Sequence, residues 1–245
     1  MTFKLLSTAN TKILKSKNQG FITYGLHLAP VDLCGVGNTC PRATPGCKAA
    51  CLNSAGRGQM NSVQTARIRK TVRFFKDRAA FMRDLVADVE KAINQARRLG
   101  LQPCFRLNLT SDIAWEKYPV YRNDIEYINI FAAFAEFTFY DYTKVLGRRG
   151  YNIPNYHLTF SAADGNDQDV LDAIEQGYNV AVVFDRLPPT FLSRPVIDGD
   201  VTDLRFLDRR LSVVGLVAKG KAKKDTTGFV RRANVQFTPV LDKAA

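Results

Sequence analysis

Four cysteines crowd into one short segment, and they are the residues of this chain best suited to bind a metal. They occupy Cys34–Cys51, which reads CGVGNTCPRATPGCKAAC and has the spacing C-x5-C-x6-C-x3-C. Its prolines and glycines oppose a continuous helix or strand, so we expect a loop that turns several sulfur atoms inward. Crowded thiolates bind zinc or an iron–sulfur cluster, and the segment is therefore predicted to be a metal-binding loop.

Two alternatives compete with a metal site, namely a disulfide knot and a set of unrelated thiols. The chain has five cysteines, and an odd number fits a disulfide framework poorly. The N-terminal residues are polar and basic, without the apolar run of a signal peptide. We therefore predict a cytoplasmic protein, whose thiols stay reduced. No apolar run reaches the ~18–20 residues that span a bilayer, so a membrane is not expected as a partner.

The chain is strongly basic, with a net charge of +12. The charge is clustered: residues 57–98 carry eleven Lys and Arg against four Asp and Glu, and residues 219–232 carry six against Asp225 alone. A basic surface of this kind favours a polyanionic partner, most often nucleic acid, although it can also serve solubility alone. The residues expected to meet phosphates are Arg67, Arg69, Lys70, Arg73, Lys219, Lys221, Lys223 and Lys224.

Alternating strands and helices must position these residues. Strands are expected where β-branched and aromatic residues cluster, and helices where apolar residues recur every three to four positions. The basic part of the longest helical stretch can form a separate helix. The predicted strands are residues 21–30, 104–110, 137–143, 156–161, 179–184, about 195–197 and 211–217, and the predicted helices are about 60–99, 122–135 and 167–177.

This alternation predicts an α/β fold with a parallel sheet and right-handed crossovers. No repeat or change of composition divides the chain, so residues 1–245 are predicted to form a single domain, an open or closed β/α barrel with the cysteine loop at residues 34–51. A doubly wound sheet is the alternative, because closure cannot be read from the strands alone.

Polar residues collect where the predicted strands end, which is where a β/α barrel builds its site. Asp112 and Glu116 are four residues apart and could act as acid and base, or bind hydroxyl or amino groups; Asp112 could equally cap a helix. Asp141 and Lys144 could form only a salt bridge. The candidate catalytic residues are Asp112, Glu116, Asp141 and Lys144, and the candidate cofactor-binding residues are Ser111, Asp112, Glu116 and Ser161.

Several other chemistries are disfavoured by the sequence. The two histidines, His27 and His157, both lie inside predicted strands, which argues against histidine-rich zinc centres and HEXXH proteases. No P-loop, GxGxxG or GxSxG motif occurs.

The order of these motifs resembles that of the radical S-adenosylmethionine (SAM) superfamily, in which a cysteine loop follows the first strand of a β/α barrel. More closely, the chain resembles a phage protein family of unassigned activity with a three-cysteine motif and a radical-SAM-like barrel. The resemblance runs through most of the chain. It rests on the segments TCPRATPGCKAAC, FRLNLTSDIAWE, FYDYTK, PNYHLTFS and VVGLVAKGKAKKD.

The resemblance implies that Cys40, Cys47 and Cys51 bind a [4Fe–4S] cluster whose open iron binds SAM, with reductive cleavage giving a 5′-deoxyadenosyl radical. Three features depart from the superfamily. Its usual spacing is C-x3-C-x2-C, an aromatic residue usually stands where this chain has Ala50, and a GGE segment is missing, so Glu116 or Asp112 would bind the amino group. If Cys34 is a fourth ligand, the cluster is closed, and a four-thiolate zinc site is equally allowed.

The sequence therefore leads to two main hypotheses. The first is an iron–sulfur, radical-SAM-like enzyme that acts on nucleic acid or a nucleotide, in the host cytoplasm if it is phage-encoded. The second is a non-catalytic nucleic-acid-binding protein with a structural zinc or iron–sulfur site. A weaker third is a hydrolytic or transglycosylase barrel that uses Asp112 and Asp141 and has a structural zinc.

Overall fold

Strands rich in buried aromatic and branched residues build one large sheet in the computed structural model, which describes residues 3–8 and 16–234. The sheet contains β1, β2, β3 and β6 to β12, and a separate hairpin contains β4 and β5. The strands are β1 Leu6–Ser7, β2 Phe21–Leu26, β3 Gln102–Arg106, β4 Val120–Arg122, β5 Ile125–Tyr127, β6 Thr138–Thr143, β7 Tyr156–Ser161, β8 Val180–Phe184, β9 Thr190–Phe191, β10 Arg194–Asp198, β11 Val213–Val217 and β12 Val230–Arg231. The α-helices are α1 Pro45–Ala49, α2 Asn61–Lys76, α3 Arg78–Arg98, α4 Ile130–Ala133 and α5 Asp167–Glu175.

Most of the sheet is wound in one direction. Strands β2, β3, β6, β7, β8 and β11 are neighbours in chain order and pair in parallel, while β1 and β9 pair antiparallel at the two ends. Strand β10 precedes β11 in the chain but lies outside it in the sheet, where the two pair in parallel, so the order reverses at this side of the sheet. Within residues 3–8 and 16–234 the strand path stays open between β1 and β9, so the mixed α/β fold and its mostly parallel sheet are confirmed, whereas a closed barrel is not found.

Strand β8 exchanges one neighbour for another along its length. Its first residues pair with Phe160 and Ser161 of β7, and its last residues, Val183 and Phe184, pair with β12. The chain therefore leaves the sheet after Ser161, and the last described strand takes its place. This fork lies at the carboxyl edge of the parallel strands, where the site is built.

The helices cover one face of the sheet. Residues Tyr24, Phe105 and Phe139 point into a core that they share with Phe74 of α2 and Leu85 of α3. On the other face, Cys104 and Tyr140 pack with the segment around Leu204. Cys104 is fully buried with its Sγ 3.1 Å from Thr23 Oγ1, as expected of a small core residue. No helix in the described part of the chain is long and apolar enough to cross a bilayer.

The helix predicted at residues 122–135 is wrong. The segment instead forms the β4–β5 hairpin followed by the short helix α4. The turn is made by Asn123 and Asp124, whose φ angles are 51° and 61°. Two successive residues in the left-handed region give the tight turn that matches the twist of a hairpin, and Asn and Asp tolerate that region better than most other residues.

Other predicted elements have different limits. The stretch 60–99 is two helices rather than one, because Asp77 between α2 and α3 has φ −141° and caps α3 through Ala80. The first predicted strand pairs only as far as Leu26 and the second only as far as Arg106, so His27 lies just outside β2. The short strands β1, β9 and β12 were not predicted, because strands of two residues lack any periodic pattern.

Candidate functional site

The cysteine loop is fastened across the carboxyl ends of β2 and β3 by Thr39. This fully buried residue donates from its Oγ1 to Ala29 O at 2.7 Å and from its N–H to Val31 O at 2.9 Å. Its own carbonyl accepts the N–H of Asp112 at 2.7 Å. Because Thr39 precedes Cys40, these bonds fix the position at which the second cysteine enters the site.

A short helix inside the loop is held by Asp164. Helix α1 begins after Thr44, whose side chain accepts the N–H of Cys47 at 3.2 Å. Asp164 follows β7 and accepts the hydroxyl of Thr44 and, at 2.9 Å, the N–H of Gly46. A Cβ at Gly46 would collide with Asp164 and with Thr227, so glycine permits this close approach. The carboxyl end of β7 thus holds the helix that carries the third cysteine.

Three of the four cysteines belong to one neighbourhood. Burial raises the pKa of Cys40, whose ionised form is also disfavoured by the charges of Asp112 and Cys51. Burial likewise raises the pKa of Cys51, which also interacts with Cys47. Cys40 Sγ lies 3.8 Å from Thr110 O, and Cys51 Sγ accepts the N–H of Asn53 at 3.5 Å. The charges of Cys40, Cys47 and Cys51 are therefore coupled through Cys51.

Cys34 has a different environment, because its thiol donates to the nearby carbonyl of Gly37 at 3.3 Å. In the part of the chain that the structure describes, no group of three or more Cys, His, Asp or Glu residues is arranged to hold a metal ion. The donors themselves suit zinc or iron–sulfur binding, because they are thiols. A backbone N–H already points at Cys51, and hydrogen bonds to sulfur are part of how proteins tune such centres.

Asp112 and Glu116 meet on a single arginine. Arg148 donates from Nε and Nη2 to the two carboxylate oxygens of Glu116 at 3.0 and 2.7 Å, and from Nη1 to Asp112 Oδ1 at 2.9 Å. All three side chains are largely buried. The sequence gave no reason to single out Arg148, although it follows the carboxyl end of β6 as Lys144 does. The two predicted carboxylates are brought together, but both carboxylate oxygens of Glu116 accept hydrogen bonds from Arg148.

Lys144 and Ser161 lie beside the cysteines. The backbone N–H of Lys144 donates to Asp112 Oδ2 at 2.9 Å, and its Nζ lies 3.2 Å from Ser161 Oγ. The ammonium group acts on Cys51, favouring its ionised form. Asp112, Lys144 and Ser161 therefore border the same space as Cys40 and Cys51, and they join the ends of β3, β6 and β7.

Ser111 and Asp141 are placed deeper, around Asn108. Ser111 Oγ donates to Asn108 Oδ1 at 2.9 Å, and Asp141 accepts the N–H of Asn108 at 2.8 Å and the hydroxyl of Tyr156 at 3.1 Å. Asp141 is fully buried, and this burial raises its pKa to about 7, against the opposing effects of Arg106 and of the Asn108 hydrogen bond. In this position Asp141 organises the backbone below the site.

The four residues of α2 that were expected to meet phosphates do not form one exposed surface. Arg67 is only 8% exposed and donates to Asn53 Oδ1. Lys70 Nζ donates to Leu5 O at 2.7 Å, and Arg73 pairs with Asp84 at 2.6 Å. Arg69 is exposed, with its guanidinium 5.8 Å from the ring of Phe3.

The four lysines in residues 219–224 are all exposed and border the cysteine loop. Lys219, Lys221, Lys223 and Lys224 lie on or next to the 3-10 helix Gly220–Lys224. Ala222 of this helix belongs to a small apolar cluster that includes Ala50 of the loop. Lys219 pairs with Asp200 at 2.8 Å. The charge of this segment therefore lies next to the thiols rather than on a remote surface.

These features define an α/β protein with a mostly parallel sheet and a cysteine loop fastened across its carboxyl edge. Residues 4–233 match the family model described as Gene product 88, and the chain belongs to that family. The family is of phage type, as the sequence resemblance implied, but the match lends no support to a three-cysteine motif or a radical-SAM-like barrel. No curated protein and no solved structure matches the chain.

Replacing Arg148 by methionine is expected to lower the free energy of unfolding by about 3–5 kcal/mol, because it leaves two buried carboxylates without their partner. Chemical denaturation measures this loss. The matched control is Arg149→Met at the exposed neighbouring position, which should stay within about 0.5 kcal/mol of the wild type. A similar small change in both variants would contradict a central role for Arg148.

The raised pKa of Asp141 predicts how the stability of the protein depends on pH. Because its pKa is raised from 3.8 to about 7 on folding, its contribution to stability is fully present below about pH 4 and is lost as the pH rises through about 7. Asp141→Asn removes this titration, so its stability should rise relative to the wild type across that window. Urea denaturation from pH 4 to 9 tests this, and parallel curves for the two proteins would refute it.

Proposed function

We propose that this chain is an iron–sulfur, radical-SAM-like phage enzyme that acts on nucleic acid or a nucleotide. One observation carries the proposal: the loop with Cys40, Cys47 and Cys51 is fastened across the carboxyl ends of parallel strands, beside Asp112 and Lys144. In β/α proteins with parallel strands this edge is where reactive groups collect. A cysteine loop with a purely structural role would have no need of that position.

Cys40, Cys47 and Cys51 would hold the cluster. When bound, a [4Fe–4S] cluster together with SAM supplies radical chemistry that amino-acid side chains cannot provide. The chain's own groups have simpler tasks. Thr39 and Asp164 fix the loop, and Lys144 with Ser161 presents an ammonium and a hydroxyl to the oxygens of a cofactor or substrate.

The proposed fold, a partial β/α barrel, is part of the same proposal and is supported by the strand order. The one-directional order of six parallel strands is the winding of a β/α barrel, and the open ends β1 and β9 leave it incomplete. The predicted cytoplasmic location also remains part of this proposal, because iron–sulfur clusters need reduced thiols.

A second candidate is favoured by the geometry of the carboxylates. Because both oxygens of Glu116 and one of Asp112 bind Arg148, these residues are well explained as structural. The chain would then be a non-catalytic nucleic-acid-binding protein, with a structural zinc or iron–sulfur site on its four-cysteine loop. The two candidates differ in the metal, in the role of Cys34 and in whether SAM is consumed.

Metal analysis after anaerobic purification tests the proposal. We expect iron, acid-labile sulfide and visible absorption, and formation of 5′-deoxyadenosine from SAM with dithionite as reductant. Cys40→Ser, Cys47→Ser and Cys51→Ser should each abolish the cluster, because all three thiolates are needed as its ligands. Cys34→Ala should keep both cluster and SAM cleavage.

The control for the cysteine series is Cys104→Ala, which removes the buried thiol outside the loop and should leave the metal content unchanged. A colourless protein with one zinc per chain would overturn the radical-SAM proposal. Loss of the cluster in Cys34→Ala would support four ligands and the second candidate.

The exposed lysines of residues 219–224 are predicted to contribute to nucleic-acid binding. Reversing Lys221, Lys223 and Lys224 to Glu should weaken binding of a labelled oligonucleotide, and should reduce the dependence of log K on log salt by roughly one per lost phosphate contact. Fluorescence anisotropy at several salt concentrations measures both. The comparison variant reverses three exposed arginines of α3, Arg83, Arg97 and Arg98. Equal effects of the two triple variants would show that only net charge matters.

A further inference from the structure

Arg67 is buried behind the cysteine loop without an acidic partner. Its side chain is 8% exposed, and its Nη1 donates only to Asn53, at Oδ1 and, at 3.4 Å, the main-chain oxygen. Its Nε has no hydrogen-bond partner among the described residues, and no carboxylate in the same part of the chain lies within ion-pair distance of it. Burying a cation without a counter-ion costs folding free energy, so we expect an anion to lie beside Arg67 in the functional state.

Cys51 is the ionisable group to which Arg67 is linked. Asn53 connects the two residues, because its side chain binds Arg67 while its N–H donates to Cys51 Sγ at 3.5 Å. The charge of Cys51 is the one anionic influence that acts on the Arg67 guanidinium, against the effect of burial. Lys144 also acts on Cys51. The buried guanidinium of Arg67 is thus linked to Cys51 through Asn53.

We propose that Arg67 is the buried counter-ion of an anionic metal–thiolate centre formed at Cys51, and that it acts as a positioning residue for that centre. The inference rests on the proposed function, because it requires a metal on the loop. Several thiolates bound to one zinc ion or one iron–sulfur cluster carry net negative charge. A fixed guanidinium behind them offsets that charge, and its free Nε–H offers a donor to sulfur.

The chain offers a close control for this role. Arg69 lies on the same helix, two residues further, and is exposed. It shares the residue type and local backbone of Arg67, but not its contact with Asn53. A comparison of the two positions separates an effect of the guanidinium behind Cys51 from an effect of lowering the net charge.

The experiment compares the wild type with Arg67→Gln, Arg67→Lys and Arg69→Gln, each loaded anaerobically with Fe²⁺ and sulfide, or with Zn²⁺. Competition against a chelator gives metal affinity, and a spectroelectrochemical titration gives the reduction midpoint of the iron-loaded form. Arg67→Gln should lower metal affinity about 10- to 100-fold, the usual effect of losing an outer-shell partner. It should also lower the midpoint, because removing a cation disfavours the added electron. Arg67→Lys should restore most of both, and Arg69→Gln should match the wild type.

The outcomes separate the two proposals. A wild type that takes up no metal overturns the proposed function, and the inference with it. A wild type that loads normally, with an Arg67→Gln variant of equal affinity and midpoint, overturns the inference alone. Should Arg67→Gln fail to fold, Asn53→Asp gives Arg67 a competing carboxylate, and a metal affinity lowered in the same direction is expected. Unchanged affinity in Asn53→Asp would then count against the counter-ion role.

Discussion

The ion-pair network of Arg148 is the interaction on which the carboxyl edge of the sheet depends. One guanidinium joins the segment after β3, through Asp112 and Glu116, to the connection between β6 and β7. It also donates to Ile113 O at 3.1 Å. A buried charge network of this kind is costly unless every member is paired. Because Glu116 is fully paired and Asp112 is also bound by the Lys144 N–H, the network fixes the distance between these strand ends.

The cysteine loop depends on this edge through neutral contacts. Thr39 receives the Asp112 N–H on its carbonyl, so the loop and the Arg148 network share one residue. The acidic and basic groups have different partners. The carboxylates of Asp112 and Glu116 bind Arg148, whereas the charges of Arg67 and Lys144 act on Cys51. The surroundings of Cys51 therefore contain two cations, as an anionic metal–thiolate occupant would require.

Most strands and the cysteine loop could be predicted from local sequence patterns. The carboxyl-edge placement of the cysteines followed from a simple rule, since a loop directly after a parallel strand must start at that edge. The β4–β5 hairpin was missed because its turn uses Asn123 and Asp124 rather than a glycine. The inward position of Arg67 was missed for a different reason: a basic helix in sequence looks the same whether its charges face water or a buried loop. The fork at β8 depends on pairing over long sequence separation, which no local pattern contains.

The contacts around Gly46 bear on the order in which the site can be assembled during synthesis. The loop leaves the ribosome early, whereas Asp164 follows 118 residues after Gly46 and Thr227 later still. Since chains fold progressively as they emerge, helix α1 acquires these contacts only after the later segments have been synthesised. Until then the loop has only its contacts with segments that precede Asp164, such as those of Thr39 with Ala29 and Asp112. The closed form of the loop is thus a late product of folding, because it depends on contacts between residues that are far apart in the sequence.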